Sequence, residues 1–188
     1  TPGRAMVSLT NNTSRKHDQK EPGTNAVNPR APNRHGHLVR WTEADGDHAA
    51  TRFQWEVFVL AGDPANPDPI QHGSQKGDAF SSPDGLLIDA RGVVCVQTDA
   101  SGGDPKVYGN NAVLAIDPAT REARRFLTGP RGCEISGATL TPDGRTMFVN
   151  MMHPGEGAKS NWPDQLPGGR PRSATVVVRR NDGGVIGT

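Results

Sequence analysis

The chain has 188 residues, of which 33% are hydrophobic and 22% charged, enough for one ordinary hydrophobic core. Its formal net charge is only +1, from 21 basic and 20 acidic residues, so no general field draws it to nucleic acid or to an anionic membrane. No apolar run approaches the roughly 20 residues of a membrane-spanning helix. We therefore expect no nucleic-acid partner and no transmembrane segment. The many glycines (23) and prolines (16) favour short strands and long loops over helices.

In the first half of the chain, alternating apolar and polar residues predict three strands. They are expected at Arg4–Leu9, His37–Trp41 and Phe53–Leu60. Between the first two strands lies a polar segment, the polar excursion Ser14–Pro32. It is interpreted equally well as a solvated loop or as a functional one.

The second half contains an internal repeat. Ser81–Thr98 matches the segment that ends at Asn150 without a gap, with the same offset for two pairs of glycines (137 − 85 = 52 and 144 − 92 = 52). Repeats of this period, made of strands and turns, indicate the blades of a β-propeller. Four strands are predicted for one blade: Leu86–Ile88, Val93–Thr98, Ala112–Ile116 and Glu122–Leu127.

The last repeat is predicted to contain strands at Ala138–Leu140, Thr146–Asn150 and Ala174–Arg180, with a final short strand at Val185–Ile186. Thr141-Pro142-Asp143-Gly144 predicts the turn between its first two strands, because proline fixes φ and glycine accepts a positive φ. A long loop, 151–172, is anchored by Trp162-Pro163-Asp164 and Pro171-Arg172-Ser173.

These segments predict an all-β fold, about two propeller blades plus parts of others, in a single domain over residues 1–188 with no separate second domain. So few blades cannot close a ring, and open blade edges are prone to aggregation. We therefore expect further segments of the same polypeptide to supply the remaining blades.

Two acids occupy nearly equivalent positions in successive repeats, Asp84 and Glu134, each predicted just ahead of a first strand. In a propeller such positions reach the mouth of the central channel, where carboxylates brought together repel unless a cation lies between them. Hard oxygen ligands of this kind suit Ca²⁺. Solvent-exposed turn acids are the alternative.

Other candidate ligands are weaker. Asn12 and Asn33 could add amide oxygens, and His153-Pro154-Gly155-Glu156 resembles a site, although loop amides and a lone histidine more often have structural roles. Cys95 and Cys133 are predicted to be buried structural thiols, because neither has the partners of a recognisable metal site.

The order of motifs resembles the PhoX-type alkaline phosphatases, a large bacterial family. The resemblance extends over nearly the whole chain through Leu9-Thr-Asn-Asn-Thr13, Asn28-Pro-Arg30, Phe80-Ser-Ser-Pro-Asp-Gly-Leu86, Gly109-Asn-Asn111, Arg125-Phe-Leu-Thr-Gly-Pro130, Gly132-Cys-Glu134, Thr141-Pro-Asp-Gly-Arg-Thr-Met-Phe-Val-Asn150, His153-Pro-Gly155 and Arg179-Arg-Asn-Asp-Gly-Gly-Val-Ile-Gly187.

The resemblance implies a periplasmic or secreted phosphatase on a six-bladed propeller, which hydrolyses phosphomonoesters with a cluster of Fe³⁺ and Ca²⁺. It makes Asp84 and Glu134 metal ligands, most naturally of calcium, and leaves Asn12 and Asn33 as weak candidates. Neither cysteine matches the family's iron-bridging cysteine, which is expected upstream together with the phosphate-contacting lysine, an Arg-Pro-Glu motif and the export signal.

By this resemblance the chain is the C-terminal third of a monomeric enzyme and is inactive alone. Two other functions stay open. One is a calcium-dependent hydrolase of the lactonase type, and the other is a non-catalytic binding propeller.

Overall fold

A computed structural model describes residues 3–15, 23–101, 103–155 and 160–188, so residues 16–22 of the polar excursion and Glu156 lie outside the described residues. The chain divides into two compact units, Thr1–Pro83 and Asp84–Thr188. Nearly all of the regular structure is β-strand, as predicted. Within the described ranges, no helix is long and apolar enough to cross a membrane.

The first unit contains an antiparallel sheet in the order β1-β2-β3. Its strands are β1 (Arg4–Leu9), β2 (His37–Glu43) and β3 (Phe53–Leu60), and a two-residue strand, β4 (Lys76–Gly77), follows. The predicted bounds of β1 and β3 are confirmed, and β2 is two residues longer than predicted. Leu38 and Val59 are fully buried where β2 and β3 pair, so this end of the sheet carries the core of the unit.

Four consecutive strands form the first sheet of the second unit, in the order β8-β7-β6-β5. They are β5 (Pro83–Ile88), β6 (Val94–Thr98), β7 (Ala112–Ile116) and β8 (Glu122–Thr128). This order confirms the four strands predicted for one blade. A short helix that was not predicted, α1 (Asp104–Tyr108), lies between β6 and β7 along the chain.

The second sheet of this unit has the order β11-β10-β9. Its strands are β9 (Glu134–Leu140), β10 (Thr146–Met152) and β11 (Ala174–Arg179). The Thr141–Gly144 turn is confirmed, since the amide of Gly144 donates to the carbonyl of Thr141 at 2.8 Å and Gly144 has φ of +67°. The final strand predicted at Val185–Ile186 is wrong, because Ile186 packs into the core from a turn.

The core of the second unit contains both cysteines. Cys95 and Cys133 are buried and free, so the prediction of structural thiols is confirmed. Trp162 packs against this core, and Arg172 donates to both carboxylate oxygens of Asp164 at 2.8 and 2.6 Å. The predicted anchors of the long loop are therefore confirmed.

Candidate metal-ligating site and adjoining cleft

Both acids lie within strands of the second unit rather than ahead of them. Asp84 is the second residue of β5, and Glu134 is the first residue of β9, four residues before the predicted start. The strand β5 can begin at Pro83 because the first residue of a strand need not donate to the ladder. Asp84 is exposed, whereas the Glu134 side chain is 15% exposed.

The carboxylate of Glu134 is bound by a histidine. Nε2 of His153 donates to Oε2 of Glu134 at 3.1 Å, and the backbone amide of His153 donates to the hydroxyl of Ser173 at 3.0 Å. Within the described part of the chain, Oε1 of Glu134 has no hydrogen-bond partner. One carboxylate oxygen is therefore oriented by the protein while the other can take a ligand, an arrangement typical of carboxylates that bind metals.

The hairpin register brings this histidine to Glu134. Next to the turn, paired residues of β9 and β10 have numbers that sum to 287 (140 + 147), and a bulge lowers the sum to 286 at Glu134 (134 + 152). His153 directly follows Met152, the partner of Glu134. The sequence contained part of this signal, because the predicted strand ends, Leu140 and Thr146, sum to 286 and place residue 152, the neighbour of His153, opposite residue 134. The interpretation of His153 as a lone histidine therefore missed its acidic partner.

In the first unit, the two asparagines named as weak candidates are brought together. Asn12 and Asn33 exchange two backbone hydrogen bonds of 2.7 and 3.1 Å. The side-chain oxygen of Asn12 accepts the amide of Ser14, and that of Asn33 accepts the amide of Gly36, each at 3.1 Å. A carbonyl oxygen has two lone pairs, so a cation at either side chain would share the oxygen with this bond.

The amide nitrogen of Asn33 is also engaged. It donates to Nδ1 of the fully buried His37 at 3.1 Å, and Nε2 of His37 donates to the carbonyl of Val27 at 2.7 Å. Burial lowers the pKa of His37, more than the hydrogen bond to Val27 raises it, and nearby arginines lower it further. The neutral imidazole therefore fixes Asn33 in place.

A third asparagine, Asn111, joins two loops beside Glu134. Asn111 is 7% exposed; its amide nitrogen donates to the carbonyls of Ala100 and Cys133 at 3.1 and 2.9 Å. Its oxygen accepts the amide of Ala100 at 2.7 Å and the hydroxyl of Thr98 at 3.0 Å. This one side chain holds the loop after β6 against the residue that precedes Glu134.

These loops enclose a cleft of about 530 Å³ within the second unit. Its lining combines polar and basic side chains with apolar surface, and comprises Asp99, Ala100, Ser101, Pro105, Lys106, Asn110, Asn111, Arg131, Gly132, Cys133 and His153. Because His153 lines the cleft and binds Glu134, the cleft adjoins the candidate metal ligand.

The cysteine beside Glu134 is not a reactive thiol. Burial, together with smaller contributions from the charges of Glu134 and Asp99, raises the pKa of Cys133 to about 12. Burial, with a smaller contribution from Asp89, raises the pKa of Cys95 to about 11. Both thiols are therefore protonated at neutral pH, as expected for structural side chains rather than for reactive ones.

Among the described residues, no group of three or more histidine, cysteine, aspartate or glutamate side chains lies close enough together to hold a metal ion. A complete shell around a cation at Glu134 therefore needs further oxygen donors, such as carbonyls, amides or residues outside this set.

Comparison with known proteins gives two matches. The family model of alkaline phosphatase PhoX matches residues 1–155. A solved structure, Pseudomonas fluorescens PhoX in complex with vanadate, a transition state analogue, is similar to the chain with a TM-score of 0.91 and 40% sequence identity. The match covers 98% of this chain and 33% of that one, so the chain spans about a third of the length of that structure. No curated protein matches the chain.

Proposed function

The chain belongs to the alkaline phosphatase PhoX family, a family with a propeller-type fold, and from this premise we propose that it is the C-terminal part of a metal-dependent phosphatase that hydrolyses phosphomonoesters. The similarity in sequence and fold to a phosphatase whose structure holds a transition state analogue carries the proposal. Vanadate resembles a phosphoryl group in transfer, so the related protein supports phosphate-ester chemistry over lactone opening. The remaining blades come from the rest of the same polypeptide.

The proposed cofactors are Ca²⁺ and Fe³⁺, and the residues of this chain fit the calcium. Glu134 offers one carboxylate oxygen without a hydrogen-bond partner in the described ranges, and Asp84 is an exposed carboxylate. Carboxylate oxygens are hard ligands that Ca²⁺ prefers. When bound, such cations polarise phosphoryl oxygens and stabilise the charge that develops on them.

The contribution of this chain is to hold the carboxylate of Glu134 in place and to orient it towards the cation. His153 fixes one oxygen of Glu134, which sets the direction of the other. Asn111 anchors the backbone at Cys133, directly before Glu134. The two buried thiols take no part in binding iron, whose ligands are expected upstream. Because those groups lie outside this chain, we expect the 188 residues alone to have no phosphatase activity.

The test is an assay of the full-length protein with p-nitrophenyl phosphate, with and without Ca²⁺ and after chelation. Phosphate release that a chelator abolishes and Ca²⁺ restores is the expected result. Opening of a lactone without phosphate release would instead identify a lactonase-type hydrolase, and the absence of both activities would favour a binding propeller.

We also propose that the full-length protein is a periplasmic or secreted monomer. Cell fractionation tests its location, and light scattering of the full-length protein tests its oligomeric state.

A further inference from the structure

Two basic side chains line the cleft beside Glu134. Lys106 lies on α1 and Arg131 lies in the loop before β9, and both are exposed. Neither forms an ion pair with any residue in the described ranges. Other arginines of the second unit do pair with carboxylates, as Arg91 does with Asp89 at 2.6 Å and Arg124 with Glu122 at 2.8 Å.

The formal charges that line the cleft favour an anion. Asp99 contributes one carboxylate against the two cations of Lys106 and Arg131, which leaves an excess of one positive charge. An arginine presents a planar fork of donors that matches carboxylate and phosphate oxygens, and a lysine adds a flexible point charge.

The size of the cleft points to an organic group rather than to a bare ion. Its volume of about 530 Å³ lies within the range of about 300 to 1,000 Å³ that is usual for sites that bind small molecules. It adjoins Glu134 through His153, which lines the cleft and donates to that carboxylate. A substrate with its phosphoryl group near Glu134 therefore has room here for the rest of the molecule.

The walls of the cleft are held in place before any ligand binds. Asn111 joins the loop of Ala100 to the backbone at Cys133, and the amide nitrogen of Asn110 donates to the carbonyl of Gly129 at 3.1 Å. Fixed walls lower the entropic cost of binding.

We propose that this cleft binds a second negatively charged group, a carboxylate or a phosphate, on the organic part of a phosphomonoester substrate, with Lys106 and Arg131 as the groups that determine this specificity. The inference deepens the proposed phosphatase function and rests on it. The substrate class is thus phosphomonoesters whose leaving group is itself anionic.

The experiment compares two matched substrates in the full-length protein, 4-carboxyphenyl phosphate and its neutral analogue 4-carbamoylphenyl phosphate. The measured quantity is the ratio of their kcat/KM values. Comparing this ratio between variants cancels the difference in leaving-group reactivity. We expect the ratio to fall by about tenfold in Lys106→Gln/Arg131→Gln, since charge-assisted hydrogen bonds to the carboxylate are lost, with the kcat/KM of the neutral substrate little changed.

The matched control is Arg124→Gln/Arg170→Gln, which removes the same charge at two exposed positions that do not line the cleft. The ratio of the two kcat/KM values in this control variant should equal that of the unmodified protein. If the double variant of the cleft is inactive, Lys106→Gln and Arg131→Gln are measured singly. An unchanged ratio, or an equal fall in the control, would overturn the inference alone. Failure of the unmodified protein to hydrolyse either substrate would overturn the proposed function, and the inference with it.

Discussion

At the scale of single residues, the first prediction concerns the calcium affinity that Glu134 provides. Glu134→Gln keeps the size of the side chain and removes the charge that favours a cation. We expect the Ca²⁺ concentration for half-maximal phosphatase activity of the full-length protein to rise by about tenfold or more, because ligand charge sets calcium affinity. The control is Glu122→Gln, a partly exposed acid of β8 that pairs with Arg124. Recovery of activity at high Ca²⁺ would separate weakened binding from misfolding, and an unchanged calcium requirement would contradict the assignment.

Asn111 is predicted to contribute more to the stability of the fold than its neighbour Asn110. Asn111→Ala leaves the amide and carbonyl of Ala100, the carbonyl of Cys133 and the hydroxyl of Thr98 without this partner. We expect the free energy of unfolding of the full-length protein, measured in urea, to fall by about 3 kcal/mol, since buried polar groups are costly to leave unpaired. Asn110→Ala removes a single bond to Gly129 and should cost about 1 kcal/mol. Equal losses for the two variants would contradict the role of Asn111.

The buried thiols predict how stability changes in alkaline solution. Folding raises the pKa of Cys133 to about 12 and that of Cys95 to about 11 from an ordinary value of 9.0. Above pH 9 the unfolded chain loses these protons while the folded chain keeps them, so unfolding becomes easier as the pH rises from 9 towards 12. The slope of unfolding free energy against pH over this window should be smaller in Cys133→Ala, whatever the offset from the lost packing. An identical slope would mean that the thiol does not titrate as inferred.

Part of the candidate site could be predicted from sequence alone. The repeat singled out Asp84 and Glu134, because equivalent positions in successive blades are visible as a constant offset. The pairing of Glu134 with His153 depends on the register of a hairpin, which requires β9 to begin at Glu134 rather than at Ala138. The cleft cations were missed for another reason, since Lys106 lies in a short helix that was not predicted and Arg131 lies in a loop, and only the folded chain brings the two to one cleft.

At the scale of elements, the accuracy of the strand predictions followed the local chemistry. β3 and β7 were predicted to the residue, because β3 alternates apolar and polar residues over most of its length and β7 is an apolar run bounded by turn residues. The start of β9 was missed because Gly137, with φ of +58°, resembles a turn residue but lies inside a strand. The helix α1 is five residues long and too short to show a helical period.

A glycine in β5 is predicted to permit the contact between neighbouring sheets of the second unit. A Cβ on Gly85 would lie 2.3 Å from Oε1 of Gln97, a buried side chain that accepts the amide of Ala138 in β9 at 3.0 Å. Gly85→Ala should therefore displace Gln97 from Ala138 and lower the free energy of unfolding by about 2 kcal/mol, as overpacking does. The control is Gly103→Ala, where a Cβ meets nothing within 4 Å.

The mechanism of this loss can be checked by a double-mutant cycle. If Gly85→Ala acts by displacing Gln97, then Gly85→Ala/Gln97→Ala should cost less than the sum of the two single changes. Strict additivity of the two losses in urea unfolding would place the effect of the alanine elsewhere.

At the scale of the whole molecule, the chain exposes apolar side chains on its strands. Phe53 and Trp55 of β3 are 57% and 43% exposed, and Val177 of β11 is 52% exposed. Such side chains on open sheets are typical of surfaces that other elements cover. The chain matches about a third of the related structure, which agrees with the proposal that further blades of the same polypeptide cover these strands.

The last prediction follows from that surface. The 188-residue chain, prepared alone, should self-associate as its concentration rises, because exposed apolar strands pair with one another when no blade covers them. Light scattering should report a mass that grows with concentration, and the full-length protein should stay monodisperse. Phe53→Thr/Trp55→Thr should reduce the association of the isolated chain, since threonine keeps the strand propensity while it removes most of the apolar surface. Val107→Thr is the control, because Val107 is 68% exposed but lies in α1 rather than on a strand. A monodisperse isolated chain at every concentration, or an equal effect of the control, would show that these strands need no cover, and the requirement for further blades would lose its physical basis.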